Sequence, residues 1–108
     1  MTKFYNGQME AIHHIAIQVS DINAALAWYG ERFAFEITHA DSSWALLQFE
    51  NLSIALVLPE QHPPHFAVER DDAASYGELT PHRDGTASVY VRDPWDNVIE
   101  IMKPASEE

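Results

Sequence analysis

The sequence predicts an α+β fold made of two β-α-β-β-β units, and three observations carry that prediction. Short segments with the two-residue period of strands surround one clear helical stripe. His65-Phe66-Ala67-Val68 repeats His14-Ile15-Ala16-Ile17 at an offset of 51, and VIEIMKP (98–104) repeats SIALVLP (53–59) at an offset of 45. The two matches bracket the same order of elements in both halves, as an internal duplication would.

The first unit occupies about residues 11–59. In IHHIAIQVS, Ile15, Ile17 and Val19 alternate with His14, Ala16 and Gln18, giving a strand with two different faces. Ser20 or Asp21 can cap the helix that follows, whose apolar stripe is Ile22, Leu26, Tyr29 and Phe33. FEITHA, WALLQF and SIALVL read as strands, separated by the turns Asp41-Ser42-Ser43 and Glu50-Asn51-Leu52. Pro59 ends the last of them, and QHPP is a stiff linker.

The second unit, about residues 62–104, is shorter by the difference between the two offsets. Asp72 falls on Asp21 and opens a short helix, DAASYGEL, while LTPHRDGT leaves little room for a full strand. DPWDN is a turn: Pro94 presets a dihedral, and Asp93, Asp96 and Asn97 supply side-chain turn bonds. Residues 1–10 show no period and are expected to form an N-terminal arm.

Length and composition set the outer limits. The 108 residues make one domain, with 46% hydrophobic and 21% charged residues. Burial is thin at this size, so a homodimer is expected. There are 17 acidic against 6 basic residues, a formal net charge of −11. That balance argues against nucleic acids and anionic membranes as partners. The absence of cysteine excludes disulfide scaffolds, thiolate zinc sites and thiol nucleophiles. No apolar run is long enough for a membrane span, and the N-terminal stretch lacks the apolar core of a signal peptide. A soluble, cytoplasmic protein is expected.

HHIAIQVSDINAALAWYGERFAFEI at the front, HFAV in the middle and SVYVRDPWDNVIEIM at the back together resemble the vicinal oxygen chelate superfamily. This group includes glyoxalases, bleomycin resistance proteins and extradiol dioxygenases. The resemblance covers nearly everything after residue 10. It departs at Ala34, where the family often has glycine, and in the shortened second unit. It implies that the two modules form a cupped, half-barrel mixed sheet with the helices outside. It also implies metal ligands on the first and last strand of each module, pointing into the cup. Those slots are His14, Ala55, His65 and Glu100, so the resemblance implies a three-ligand set of His14, His65 and Glu100. One divalent ion, manganese, iron, nickel or zinc, would be the cofactor.

The residues themselves bear on this independently. Glu100 interrupts Val98-Ile99-Glu100-Ile101-Met102, an otherwise apolar strand, and a buried carboxylate has to be neutralised, paired or metal-bound. An outward-facing Glu on a half-exposed strand is the plainer alternative. His14 and His65 begin corresponding strands, and two imidazoles with one carboxylate suit a divalent transition metal with open positions. In the tandem His13-His14, alternation places His14 in the cup and His13 toward the helix side or the surface. Tyr90, just before the DPWDN turn, can offer its hydroxyl to a metal-bound substrate as a catalytic group beside Glu100, or simply fill the cup. Gln18, Gln48, Glu69 and Ser88 are secondary candidates. His82-Arg83 lies on a loop, where it can receive an anionic group or stand solvated. Trp28 reads as a core or dimer contact, Trp44 as cup lining, and Trp95 as exposed. There is no glycine-rich phosphate loop, no G-x-S-x-G elbow and no HExxH helix.

Three functions compete. The first is a metalloenzyme whose small-molecule substrate chelates the metal through neighbouring oxygens, in lyase, thiol-transferase or dioxygenase-like chemistry. The second is a metal-free drug-binding protein of the bleomycin-resistance type. The third is a degenerate, non-catalytic dimer.

Overall fold

The computed structural model describes residues 9–82 and 85–105. Strand β1 (Ile12–Gln18) leads into helix α1 (Ile22–Gly30), followed by β2 (Glu36–Ala40), β3 (Trp44–Gln48) and β4 (Ser53–Val57). The second module contains β5 (His65–Glu69), a single 3-10 turn (Ala73–Tyr76), β6 (Thr80–Pro81), β7 (Ala87–Arg92) and β8 (Val98–Lys103). All eight strands form one mixed sheet in the order β2-β3-β4-β1-β5-β8-β7-β6. β1 runs parallel to β4 and β5 parallel to β8, while β1 meets β5 antiparallel. The two modules therefore join edge to edge within one chain. Both parts of the second module flagged as short are trimmed: its helix is one turn and its second strand has two residues.

The strand register turns the repeat into a pseudo-two-fold axis between β1 and β5. One row across the sheet reads Gln48, Ser53, His14, Ala67, Glu100, Tyr90. The next row, read in the opposite direction, is Arg92, Val98, His65, Ala16, Ala55, Leu46. The axis exchanges His14 with His65 and Ala55 with Glu100, so Ala55 occupies the counterpart of the carboxylate position.

Helix α1 starts at Asp21, whose carboxylate accepts from the Ala24 N–H at 3.0 Å. Its buried side seats Ile22 on Ala45, Leu47 and Leu56, with Ile17, Leu26, Tyr29 and Phe35 packed around them. Phe33 does not continue the stripe. The helix ends at Gly30, and Phe33 is half exposed against the rings of Trp28 and Tyr29. On the opposite face Ala16, Ala55 and Val57 pack with Leu46. The alternation along β4 thus divides Ile54 and Leu56 on the helix side from Ala55 and Val57 in the cup.

The DPWDN turn is held mainly by Asp93, whose carboxylate accepts from the Trp95 N–H, the Asn97 N–H and the Asn97 side-chain amide. Asp96 plays a different part from the one expected. It takes the left-handed backbone position, with φ 69°, and its carboxylate pairs with Arg92.

Candidate functional site

Three side chains from three strands converge in the centre of the cup. Glu100 projects from β8, with its Oε1 3.2 Å from His14 Nε2 and 3.1 Å from His65 Nε2. All three residues are buried, and one ligand atom from each lies within 4.8 Å of the others. The imidazoles meet edge to face, with centroids 5.6 Å apart. Two ligands each about 2.1 Å from a common ion stand about 3 Å apart when they subtend an angle slightly above 90°. The 3.1 and 3.2 Å edges, both ending on one carboxylate oxygen, have that length, which is also the length of a hydrogen bond, and the donor types suit a divalent ion.

The outer nitrogens are fixed as well. His65 Nδ1 lies 2.8 Å from the Pro63 carbonyl, which can only accept, so Nδ1 carries the proton and Nε2 faces Glu100. His14 Nδ1 lies 2.8 Å from His13 Nδ1. His13 thus departs from the expected helix-side or surface position. The β1–β5 register shifts between Ile12 and His14, and this bulge brings His13 beside His14, with its Nε2 3.8 Å from Glu69.

The electrostatics follow from burial and these contacts. Burial alone would favour the neutral acid at Glu100. Hydrogen bonds from His14 and His65, the His14 charge and the Ser88 hydroxyl outweigh it and hold the carboxyl well below the usual range. Burial also opposes a charge on His65, yet the bonds to Glu100 and Pro63 raise its pKa above the ordinary value. Tyr90, across from Glu100 in register, is pushed up to about 12 by burial and by the Glu100 charge. Its ring stands edge-on to His65 at 5.5 Å.

Two further histidines enter the site that sequence reasoning did not place there. His82 Nε2 lies 2.5 Å from the Ser88 hydroxyl and 3.8 Å from Glu100 Oε2. Its partner in the sequence motif, Arg83, lies outside the described residues, as does most of the N-terminal arm. His62 stacks on Tyr90 at 6.3 Å, and burial lowers its pKa. Its carbonyl accepts from the Gln18 amide at 2.9 Å, which ties the QHPP linker to the end of β1. The HR pair pointed to the first only as a loop charge, and nothing local to QHPP pointed to the second. Of the remaining candidates, Ser88 is fully buried between His82 and Glu100. Gln48 bonds to Ser53 and to its neighbour's carbonyl, away from the centre. Trp44 stacks on His39 in the first module, Trp28 is half exposed beneath Arg32, and Trp95 is 80% exposed.

The family model for the Glyoxalase/Bleomycin resistance protein/Dioxygenase superfamily matches residues 11–76. The chain belongs to that superfamily. The match holds His14 and His65, while Tyr90 and Glu100 lie beyond it, so their place in the centre rests on the geometry. Among solved structures of the same fold, methylmalonyl-CoA epimerase from Mycobacterium tuberculosis superposes with a TM-score of 0.74 at 17% identity, over 96% of this chain and 95% of that one. A hypothetical protein from Bacillus halodurans gives 0.71 at 16% identity, over 94% and 99%. A variant of Streptomyces coelicolor methylmalonyl-CoA epimerase in complex with 2-nitronate-propionyl-CoA gives 0.67 at 19%, over 92% and 100%. At these identities the likeness is one of fold. Among curated protein sequences, none matches this chain.

Proposed function

We propose that this glyoxalase-superfamily chain is a divalent-metal-dependent enzyme acting on a small molecule that chelates the metal through two neighbouring oxygens. The observation that carries this is the convergence of His14, His65 and Glu100 on one carboxylate oxygen. His14 Nε2, His65 Nε2 and Glu100 would hold the ion. When bound, it supplies Lewis acidity that stabilises negative charge developing on a substrate oxygen.

The chain's own groups restrict the chemistry. Glu100 is committed as a ligand, and its counterpart across the pseudo-two-fold axis is Ala55, so no second carboxylate stands ready as a base. Tyr90 keeps its proton at neutral pH, since its pKa is pushed up to about 12, and it acts as a hydrogen-bond donor to substrate oxygen. His82, held by Ser88 beside Glu100, is a group able to carry a proton at the centre. This set favours lyase or thiol-transfer chemistry over a two-carboxylate proton exchange. Support for a homodimer comes from the exposed rings Trp95 and Trp28; among the described residues no helix is long and apolar enough to cross a membrane.

A second reading has an observation of its own. Glu100 and both histidines satisfy one another by hydrogen bonding, with no buried side-chain polar atom left unpartnered among the described residues. A metal-free small-molecule binder would use the same cluster as a structural strut. Metal analysis of protein purified without chelator separates the two. About one equivalent of a divalent transition metal, lost in the Glu100→Ala variant, supports the enzyme; metal-free protein that takes up no added manganese, iron, nickel or zinc supports the binder.

A further inference from the structure

The two halves of the cup share a backbone but differ in chemistry. The pseudo-two-fold axis sets Leu46 against Tyr90, Ala55 against Glu100 and Gln48 against Arg92. In the first module Ala16, Ala55 and Val57 are buried with Leu46, so that half is filled by apolar groups. In the second module a cleft of about 360 Å³ lies open, lined by Gln61, His62, Pro63, Tyr90, Arg92 and Val98. Its volume lies at the small end for ligand pockets.

The cleft continues directly from the proposed metal centre. Tyr90 and His62 both hold ring contacts with His65, at 5.5 and 6.4 Å. Val98 pairs with His65 on one side and with Arg92 on the other. Arg92 stands two residues beyond Tyr90 on the same face, about 7 Å further along β7. Among the described residues it is the only Lys or Arg lining the cleft, in a chain of net charge −11. Its guanidinium is 3.0 Å from Asp96, but both side chains are mostly exposed, so this pair holds it weakly.

We propose that the cleft takes a small chelating acid carrying a second anionic group, a carboxylate or phosphate, that pairs with Arg92 while the chelating oxygens meet the metal. This rests on the reading of His14, His65 and Glu100 as a metal centre. A planar guanidinium presents two parallel donors to either anion. Arg92 lies two strands from His65 in register, about 10 Å across the sheet at the backbone, a gap that the long Arg side chain and a short substrate chain span together. Across the axis Gln48 stands where the second module has Arg92, so the first module has no equal site for the anion.

The test uses cobalt(II)-loaded protein, with ligand binding read from the visible spectrum. Lactate, malate and 3-phosphoglycerate share the 2-hydroxy-acid chelating end, and the last two add a carboxylate or a phosphate. Malate, phosphoglycerate or both should bind about tenfold or more tightly than lactate, and the stronger of the two identifies the anion. Arg92→Gln should abolish that preference and leave lactate unchanged, and Asp96→Asn, which frees the guanidinium, should enlarge it. Equal binding of all three ligands to the wild type overturns the proposal, as does an equal loss for lactate and the dianions in Arg92→Gln. Protein that binds no cobalt overturns the metal reading and this inference with it. Cobalt and lactate binding without an anion preference overturns this inference alone.

Discussion

His13 and His14, adjacent in sequence, bring their Nδ1 atoms to 2.8 Å on one side of β1. In a regular strand their side chains would point to opposite faces. The bulge between Ile12 and His14 removes that alternation. One nitrogen donates and the other accepts. With a metal on His14 Nε2, His14 Nδ1–H donates to His13, which turns its own Nε2 toward Glu69 at 3.8 Å. Such outer partners fix the tautomer and ring orientation of a ligand histidine, and their loss costs about 10–100-fold in metal affinity. His13→Ala should weaken manganese or zinc binding within that range while thermal stability of the metal-free protein changes little. His13→Asn, which keeps an acceptor oxygen, should recover part of the loss. Calorimetric titration showing wild-type affinity in His13→Ala would remove His13 from the site.

Glu100 and Glu69 give a second comparison. Glu100 touches both central histidines and is buried, whereas Glu69 is partly exposed and reaches only His13. Glu100→Gln removes a charge that an amide cannot supply. It should depress metal affinity far more than Glu69→Gln, whose effect passes through two intervening rings. Equal affinities for the two variants in the same titration would exclude Glu100 as a ligand.

The pH dependence of stability follows from the shifted groups. Glu100 titrates below its ordinary value of 4.5, so its contribution is full above about pH 4.5 and is lost as pH falls through the lowered value. His65 titrates above its ordinary 6.5, so its contribution is full below about pH 6.5 and is lost as pH rises through the raised value. His62 works the other way: its pKa is depressed by burial, so it contributes above pH 6.5 and is lost below. In a His62→Asn background the Tm of metal-free protein should therefore peak between about pH 4.5 and 6.5 and decline toward pH 8. Metal needs His65 Nε2 without its proton, so the metal-induced rise in Tm should grow as pH rises from about 6.5 toward 8. A metal-free Tm that climbs steadily from pH 6.5 to 8 in that background would contradict the Glu100–His65 pair.

Much of the architecture was legible because it depends on local period. The alternation of Ile15, Ile17 and Val19 with His14, Ala16 and Gln18 survives as the two faces of β1. The overlay of SIALVLP on VIEIMKP predicts the register that sets Ala55 opposite Glu100. Features created by long-range contact were not legible. The bulge that brings in His13 arises from pairing with β5, far along the chain. His82 reaches Ser88 and Glu100 only because its loop folds back, with its N–H donating to the Thr86 carbonyl. Phe33 fits the helical stripe by spacing, but the helix ends at Gly30 with Glu31 as its cap, which leaves Phe33 beyond it.

Among the described residues the sheet ends on β2, whose outer edge has no strand partner and where Ile37 is 55% exposed, and Trp95 projects from its turn. An uncovered apolar edge invites pairing with another chain. Light scattering at tens of micromolar, roughly where weak dimers begin to dissociate, should give twice the monomer mass. A monomer mass under those conditions would refute the homodimer.

Ala55 offers the most searching test of the register. It is 5% exposed, faces the cup beside Ala16 and corresponds to Glu100 across the axis. Glu100 sits two strands from His14 and reaches its Nε2; a Glu at position 55 sits two strands from His65 in the mirrored arrangement and should reach His65 in the same way. In Ala55→Glu two carboxylates would then share the centre. Without metal their repulsion and burial should lower the Tm. With metal the added charge and donor should tighten binding by about tenfold or more, since affinity follows the number of charged ligands. Chelation by a two-oxygen ligand should weaken at the same time, because one open position is filled. Greater metal affinity together with poorer chelation is not what a general loss of stability would produce. Unchanged metal affinity in a folded Ala55→Glu protein would rule out the three-ligand centre and the register that predicts it.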